Sequence, residues 1–192
     1  AKANNITDLQ SYVDYCLAHP GDVQMGGAGN ASVWHVAGGY LMNETGIDIQ
    51  MITYEEGAAT AVQNAASGFI QGVTVSLAEA RNFIESGHLI CLGVMSEDRN
   101  PVFPDVPTCK EQGYDVQYFT QRGMACAKGT DPAVLEVLRD ACAKAVEDPD
   151  FVTFMDNNGQ TIAYLDADEY AAYMEQNAVD VASAMEALGL LA

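Results

Sequence analysis

From Leu9 onward apolar positions recur at helical spacing: Leu9, Tyr12, Val13, Cys16 and Leu17 form one stripe. Thr7-Asp-Leu-Gln10 has the spacing of a capping box that opens this helix, and Pro20-Gly21 closes it. A short apolar run from Val23 to Met25 predicts a strand entering Gly26-Gly27-Ala28-Gly29-Asn30, and a second helix follows to about Asn43. Asp48 to Thr53 reads as a strand, and after a turn at Gly57 an Ala-rich helix runs toward Gly68. Gly72 to Ser76 predicts a short strand, and Ala78 to Glu85 a helix. His88 to Met95 is an apolar run of buried-strand length, with further strands expected at Val116 to Phe119 and Met124 to Ala127.

The last third is helical. Asp131 caps a helix with Pro132 at its first position, and Val134, Leu135, Leu138 and Cys142 are expected to face inward. Asp166-x-x-Glu169 is a capping box opening a long helix whose Tyr170, Met174, Val181, Met185 and Leu188 share a face. Strands alternating with helices predict an α/β fold: a mainly parallel sheet flanked by helices, with a helical C-terminal third.

One segment breaks this rhythm. Arg99 to Tyr114 holds Pro101, Pro104 and Pro107, which neither continue a helix nor sit inside a central strand. Thr108 and Glu111 then fall at capping-box spacing, and Gly113 can close the short helix in the left-handed conformation. The segment reads as an ordered connector with a one-turn helix.

Charge narrows the function. Eight basic against 27 acidic residues give a formal charge of −19, which repels nucleic acid and anionic membranes alike. No apolar run is long enough to span a membrane. The cysteines at 16, 91, 109, 126 and 142 are odd in number and lack Cys-x-x-Cys spacing, so they read as small buried hydrophobes rather than a disulfide framework. His19, His35 and His88 show no metal-ligand spacing.

Gly26 to Ser32 is the best local candidate for a site. Glycines let a ligand approach the backbone, and the following helix aims unpaired N–H groups and its positive dipole end at that spot. Asn30 or Ser32 can add a side-chain donor, and a carboxylate, phosphate or sulfate is the natural guest. An ordinary strand-to-helix turn fits the same residues. Gly27-x-Gly29-x-x-Ser32, with Glu55 further on, also approaches the dinucleotide fingerprint, although Ser replaces the third Gly and no catalytic constellation follows. Ser32 and His35, three apart on one helix, are a conceivable nucleophile–base pair without an orienting acid. The Tyr54-Glu-Glu-Gly57 turn and Thr74 to Ser76 end neighbouring strands, on the edge where parallel sheets bind ligands.

Taken together, Arg99-x-Pro101-x-x-Pro104-Asp105-Val106-Pro107-Thr108-x-x-Glu111-x-Gly113-Tyr114 resembles the solute-binding proteins of tripartite tricarboxylate transporters. Other pieces follow in the family's order. They are His19-Pro20-Gly21, Gly27-Ala28-Gly29-Asn30-x-Ser32-x-x-His35-x-Ala37, a Tyr54-Gly57 loop one residue longer than the family's, Gly87-His-Leu with Leu92-Gly-Val, and Gly123-Met to Pro132. The match covers nearly the whole chain.

The resemblance implies a periplasmic-binding-protein-like fold of two α/β lobes closing on a small carboxylate. Gly27, Ala28, Gly29, Asn30 and Ser32 would be one half of the site, with Gly57, Thr74 and Ser76 lining it. No catalytic residue, cofactor or metal is implied. The implied partners are membrane transporter subunits, and the implied location is periplasmic or extracellular, lipid-anchored in a full-length protein. The family's N-terminal lobe segment, on the order of a hundred residues, has no counterpart in this sequence. On that reading residues 1–123 are the second, ligand-binding lobe and residues 124–192 would complete the first. A homodimer is one arrangement that would cover surface exposed by a missing lobe. Glu55-Glu56 replaces what is often a Lys-Gly pair, and Gln71 stands where Asp is common. That acidic edge disfavours a highly anionic guest such as citrate and favours an amino-acid-like one. The alternative readings are a nucleotide-dependent oxidoreductase using the Gly27–Ser32 loop, and a non-transport sensor or inactive remnant.

Overall fold

Strand and helix alternate through the first half of the chain, as the patterning requires. The computed structural model describes residues 5–158 and 160–191. Its elements begin with α1 (Leu9–Ala18), β1 (Val23–Ala28), α2 (Val33–Thr45), β2 (Ile49–Tyr54), α3 (Ala58–Ala66), β3 (Gly72–Val73) and α4 (Leu77–Glu85). A single 3-10 turn at Lys110–Gln112 and the helices α5 (Pro132–Val146), α6 (Pro149–Asn157) and α7 (Ala167–Ala187) follow. Two compact units are distinguished: the described residues up to Thr120 with those from Asp180 onward, and Gln121–Val179.

In the first unit β1 is central, in the order β2-β1-β3, and both pairings are parallel. Parallel neighbours need helical crossovers, which α2 and α3 provide. Pairing with β2 is in register along the whole of β1, from Val23 opposite Ile49 to Ala28 opposite Tyr54. The first crossover leads to one side of β1 and the second crosses to the other. The topological switch point therefore lies at the carboxyl end of β1.

The core gathers Leu9, Tyr12, Val13 and Cys16 from α1, Val23 and Met25 from β1, Leu41 from α2, and Ile47 and Ile49 before and in β2. Complete burial of each aliphatic side chain stabilises by about 1.5–3 kcal/mol. Cys109 and Val116 join the same cluster, so the proline connector is packed on α1. Gln112 fastens it: its Oε1 accepts the Leu9 N–H at 3.0 Å, and its Nε2 donates to the Leu92 carbonyl at 2.8 Å. The capping box forms as expected, with Glu111 N–H on Thr108 Oγ1 at 3.0 Å, Thr108 N–H on Glu111 Oε2 at 2.8 Å, and Gly113 at φ 92°. Arg99 pairs with Glu111 at 2.8 Å and donates to the Pro104 carbonyl at 3.0 Å, which ties the two ends of the proline run together.

Several expectations are corrected. The α1 cap is Asp8, not Thr7: Asp8 Oδ1 accepts the Ser11 N–H at 2.7 Å, and Ser11 Oγ accepts the Asp8 N–H at 3.2 Å. An ionised carboxylate is the stronger acceptor. β1 extends beyond Met25 to Ala28, through the glycines, while β3 stops at Val73. His88 to Met95 is not a buried strand. Its one bridge joins Val94 to Thr108, and its neighbour is the proline run, which lacks the N–H groups needed to extend a ladder. Residues 116–119 and 124–127 form no strand either, and Met124 and Cys126 are exposed.

In the second unit, Asp131 caps α5, and Asp166 and Glu169 exchange the two bonds of a capping box. α6, capped by Asp148 with Pro149 at its start, was not foreseen. The inward stripe is not realised: Val134, Leu138 and Met174 are exposed, and no described residue of 121–179 is buried. Amphipathic spacing specifies a face but does not supply what covers it.

The C-terminal turns of α7, in the first unit, rest on α2. A Cβ at Gly39 would lie 3.0 Å from the Ala184 carbonyl carbon and closer still to its oxygen. Gly39→Ala is therefore expected to destabilise the chain by about 1–3 kcal/mol through overpacking against backbone. A thermal melt beside Gly46→Ala, whose position has open space but a left-handed φ of 69°, separates crowding from backbone strain.

Candidate functional site at the carboxyl edge of the sheet

The carboxyl ends of β1, β2 and β3 feed directly into α2, α3 and α4, so three helix N-termini open on one edge. At the first, Ser32 caps α2 with its Oγ accepting the His35 N–H at 3.3 Å. Ala31 takes a left-handed φ of 55°, and its N–H donates to His35 Nδ1 at 3.1 Å. The Ser32 N–H donates to the Gly29 carbonyl at 3.0 Å. The glycine loop is thus folded back and braced from within α2. His35 must hold its proton on Nε2 for Nδ1 to accept.

Thr74 and Ser76 support the same edge. Thr74 is buried, and its hydroxyl donates to the Trp34 carbonyl at 2.6 Å, with the Gly26 carbonyl at 3.3 Å. That side chain locks β1, α2 and the end of β3 together. Ser76 caps α4 and is held by Glu79, whose Oε2 accepts both the Ser76 hydroxyl at 2.7 Å and its N–H at 3.1 Å.

The third N-terminus differs. Gly57, at φ 106°, precedes α3 with no side-chain cap. The N–H groups of Ala58, which is buried, and Ala59, which is exposed, have no intrahelical acceptor and no side-chain cap. Beside it Glu55 bends back to the glycine loop, its Oε1 accepting the Asn30 N–H at 3.2 Å.

Gly27 and Ala28 therefore end β1, Gly29 and Asn30 form the loop after it and Ser32 caps α2, with Gly57, Thr74 and Ser76 following the ends of the flanking strands. The hydroxyls of Thr74 and Ser76 donate within the scaffold, while Ser32 Oγ accepts the His35 N–H and keeps its own proton, so the edge offers backbone amides together with the Ser32 hydroxyl and the exposed Asn30 side chain. Sequence reading missed Ala58 and Ala59, whose only signal was a glycine in place of a capping side chain. Two other arrangements are not assembled. Ser32 Oγ faces the His35 backbone N–H while the imidazole Nδ1 bonds Ala31, so there is no nucleophile–base pair. Glu55, the expected ribose-binding acid, is turned onto Asn30.

Burial lowers the pKa of His35 below its ordinary 6.5. Above 6.5 the ring is neutral whether the chain is folded or not, and its contribution to stability is complete. Below 6.5 the unfolded chain takes up a proton that the folded chain resists, so stability falls as pH falls toward the folded value. The melting temperature is expected to drop as pH falls below 6.5, and His35→Gln should flatten that limb. NMR titration of the His35 ring checks the assignment, with its midpoint expected below 6.5.

With the geometry in view, the chain can be compared with known proteins. A family model described as "Tripartite tricarboxylate transporter family receptor" matches residues 1–190. A UPF0065 protein of Cupriavidus necator is 29% identical over 185 residues, which is 96% of this chain and 56% of that protein. A solved TctC solute-binding protein from Polaromonas, without ligand, is 33% identical with a TM-score of 0.80, over 97% of this chain and 63% of that one. An R. palustris protein solved with adipate has the same fold at a TM-score of 0.77 and 18% identity, over 98% of this chain and 63% of that one. The chain thus spans a little over half the length of that curated relative and under two thirds of those solved chains. Its parallel sheet with flanking helices is that of periplasmic binding proteins, and the chain belongs to the family of tripartite tricarboxylate transporter receptors.

Proposed function

We propose that this chain is the ligand-receiving part of an extracytoplasmic solute-binding receptor that captures a small carboxylate and presents it to membrane transporter subunits. The observation that carries the reading is the uncapped N-terminus of α3, set beside the braced glycine loop at the topological switch point. Backbone amides at a helix start are suited to a carboxylate and require no cationic side chain. In this reading Gly27, Ala28, Gly29, Asn30 and Ser32 shape one wall, Gly57 opens the other, and Thr74 and Ser76 hold the two in place.

The adipate in the R. palustris neighbour supports a carboxylate as guest. The site needs no catalytic group, cofactor or metal, because capture and release leave the ligand unchanged. Residues 1–123 act as the ligand-binding lobe; within 124–192 the stretch up to Val179 belongs with the opposing lobe, while the residues from Asp180 onward pack on α2 of the first unit. The working place is the periplasm or cell exterior, with lipid anchoring a property of the full-length protein. No helix among the described residues is long and apolar enough to cross a membrane.

Calorimetric titration of the chain with a panel of small mono- and dicarboxylates tests the reading. Saturable one-site binding is expected, with a rise in stability of about 2.7 kcal/mol at a ligand concentration 100 times Kd. Ala58→Pro removes one first-turn N–H at the helix position where proline is best tolerated. It should weaken carboxylate binding about tenfold or more, with the melting temperature of the unliganded variant as the control for folding. Absence of binding across the panel, or full affinity in a folded Ala58→Pro variant, refutes the assignment.

A further inference from the structure

Glu55 already places a carboxylate on the glycine loop. Its Oε1 accepts the Asn30 N–H at 3.2 Å, and its Oε2 lies 3.0 Å from the point where a Cβ at Gly29 would stand. The absence of a side chain at Gly29 is what admits it. The parallel register sets Ala28 opposite Tyr54, which brings the Glu55 side chain within reach of the loop that follows β1. Glu55 belongs to the same turn as the amides proposed to hold the guest, two residues before Gly57, so the two Cα atoms lie within about 7 Å of each other.

Among the described residues, none of the ion pairs involves Glu55. Between Lys2 and Arg81 the sequence has neither Lys nor Arg, and Arg81 is paired with Glu85 at 2.8 Å. Of the two histidines in that stretch, His35 is buried with Nδ1 engaged by Ala31, and His19 Nδ1 lies 2.8 Å from the Tyr15 carbonyl. A carboxylate on the first turn of α3 therefore meets a fixed like charge. Such a pair of like charges disfavours binding, and more strongly at the effective dielectric of a protein surface than in bulk water.

We propose that Glu55 sets the charge of the guest: the site takes a zwitterion, with its carboxylate on the α3 amides and its ammonium on the Glu55 carboxylate. The inference rests on the carboxylate-receptor reading above. One lone pair of Glu55 is used by Asn30, which fixes the group, and those remaining suit an ammonium with three donors. The same negative charge that repels a diacid then becomes half of a charge-assisted hydrogen bond.

The test is titration of the full chain with three pairs differing by one amino group: L-aspartate and succinate, L-glutamate and glutarate, L-alanine and propionate. In at least one pair the amino member should bind about tenfold or more tightly than its partner. Glu55→Gln should bring that ratio within about threefold, and Glu55→Lys should reverse it in favour of the diacid. A gain for the diacid is not a result that loss of structure produces, and Glu55 is exposed, so the variants should melt like the parent. Diacids binding as well as their amino partners, or Glu55→Gln shifting both members alike, overturns the inference and leaves the carboxylate receptor standing. No binding of any of the six compounds removes both.

Discussion

The loop edge depends on how closely two helices approach the central strand. A Cβ at Gly26 would stand 2.6 Å from Ile70 Cδ1 and 3.2 Å from the Ala61 Cβ, and one at Gly27 would stand 3.2 Å from the His35 backbone N. Glycine within a strand sacrifices side-chain packing and backbone entropy. Here it lets α2 and the α3 region lie directly against β1, and the loop that leaves β1 inherits that position. Thr74 completes the arrangement, because its buried hydroxyl binds both the strand carbonyl of Gly26 and the helix carbonyl of Trp34. A larger residue at either glycine would displace the scaffold before it touched any ligand.

The proline connector contributes to this unit from the opposite side of the chain. Its prolines limit the backbone, Thr108 and Glu111 close one turn, and Arg99 joins that turn to the Pro104 carbonyl. The Arg99 partnership holds Glu111 below the usual carboxylate range. Cys109, Val116 and Gln112 then fix the segment to α1, and Tyr118 stacks on Tyr40 of α2 with ring centroids 4.5 Å apart. All of these contacts are structural. The segment that most clearly marks the family in sequence is thus a brace, and the binding chemistry lies elsewhere.

Signals confined to a few residues were legible, and signals that depend on a distant partner were not. The capping boxes at Thr108 and Asp166 and the Asp131-Pro132 start are each contained within four residues, and all three form. The Thr7 assignment failed by one position because Asp8 and Ser11 satisfy the same rule with a stronger acceptor. His88 to Met95 has a strand's composition, but a strand exists only where a neighbour can share its hydrogen bonds, and the neighbour here is rich in proline. The stripes of α5 and α7 are real, yet Val134 and Met174 remain exposed because periodicity names a face without naming its cover. At the site, the glycine loop and Gly57 were readable, while the commitments of Ser32, Thr74 and Ser76 to the scaffold required the three strands to be assembled.

Those commitments decide where selectivity can come from. With the Thr74 and Ser76 hydroxyls already donated within the scaffold, the amides at the helix starts offer positive potential to any small anion and distinguish little between one carboxylate and another. Selectivity must then arise from the side chains that border the amides. In the Tyr54–Gly57 turn, one residue longer than the pattern it resembles, the bordering groups are Glu55 and Glu56. The register of β2 against β1 delivers Glu55 to Asn30, and the absence of a side chain at Gly29 leaves room for it. A dipole-only pocket and a fixed negative charge are each ordinary. In the proposed receptor, their juxtaposition would make the sign of the guest's second charge, rather than its shape alone, the quantity this edge reads.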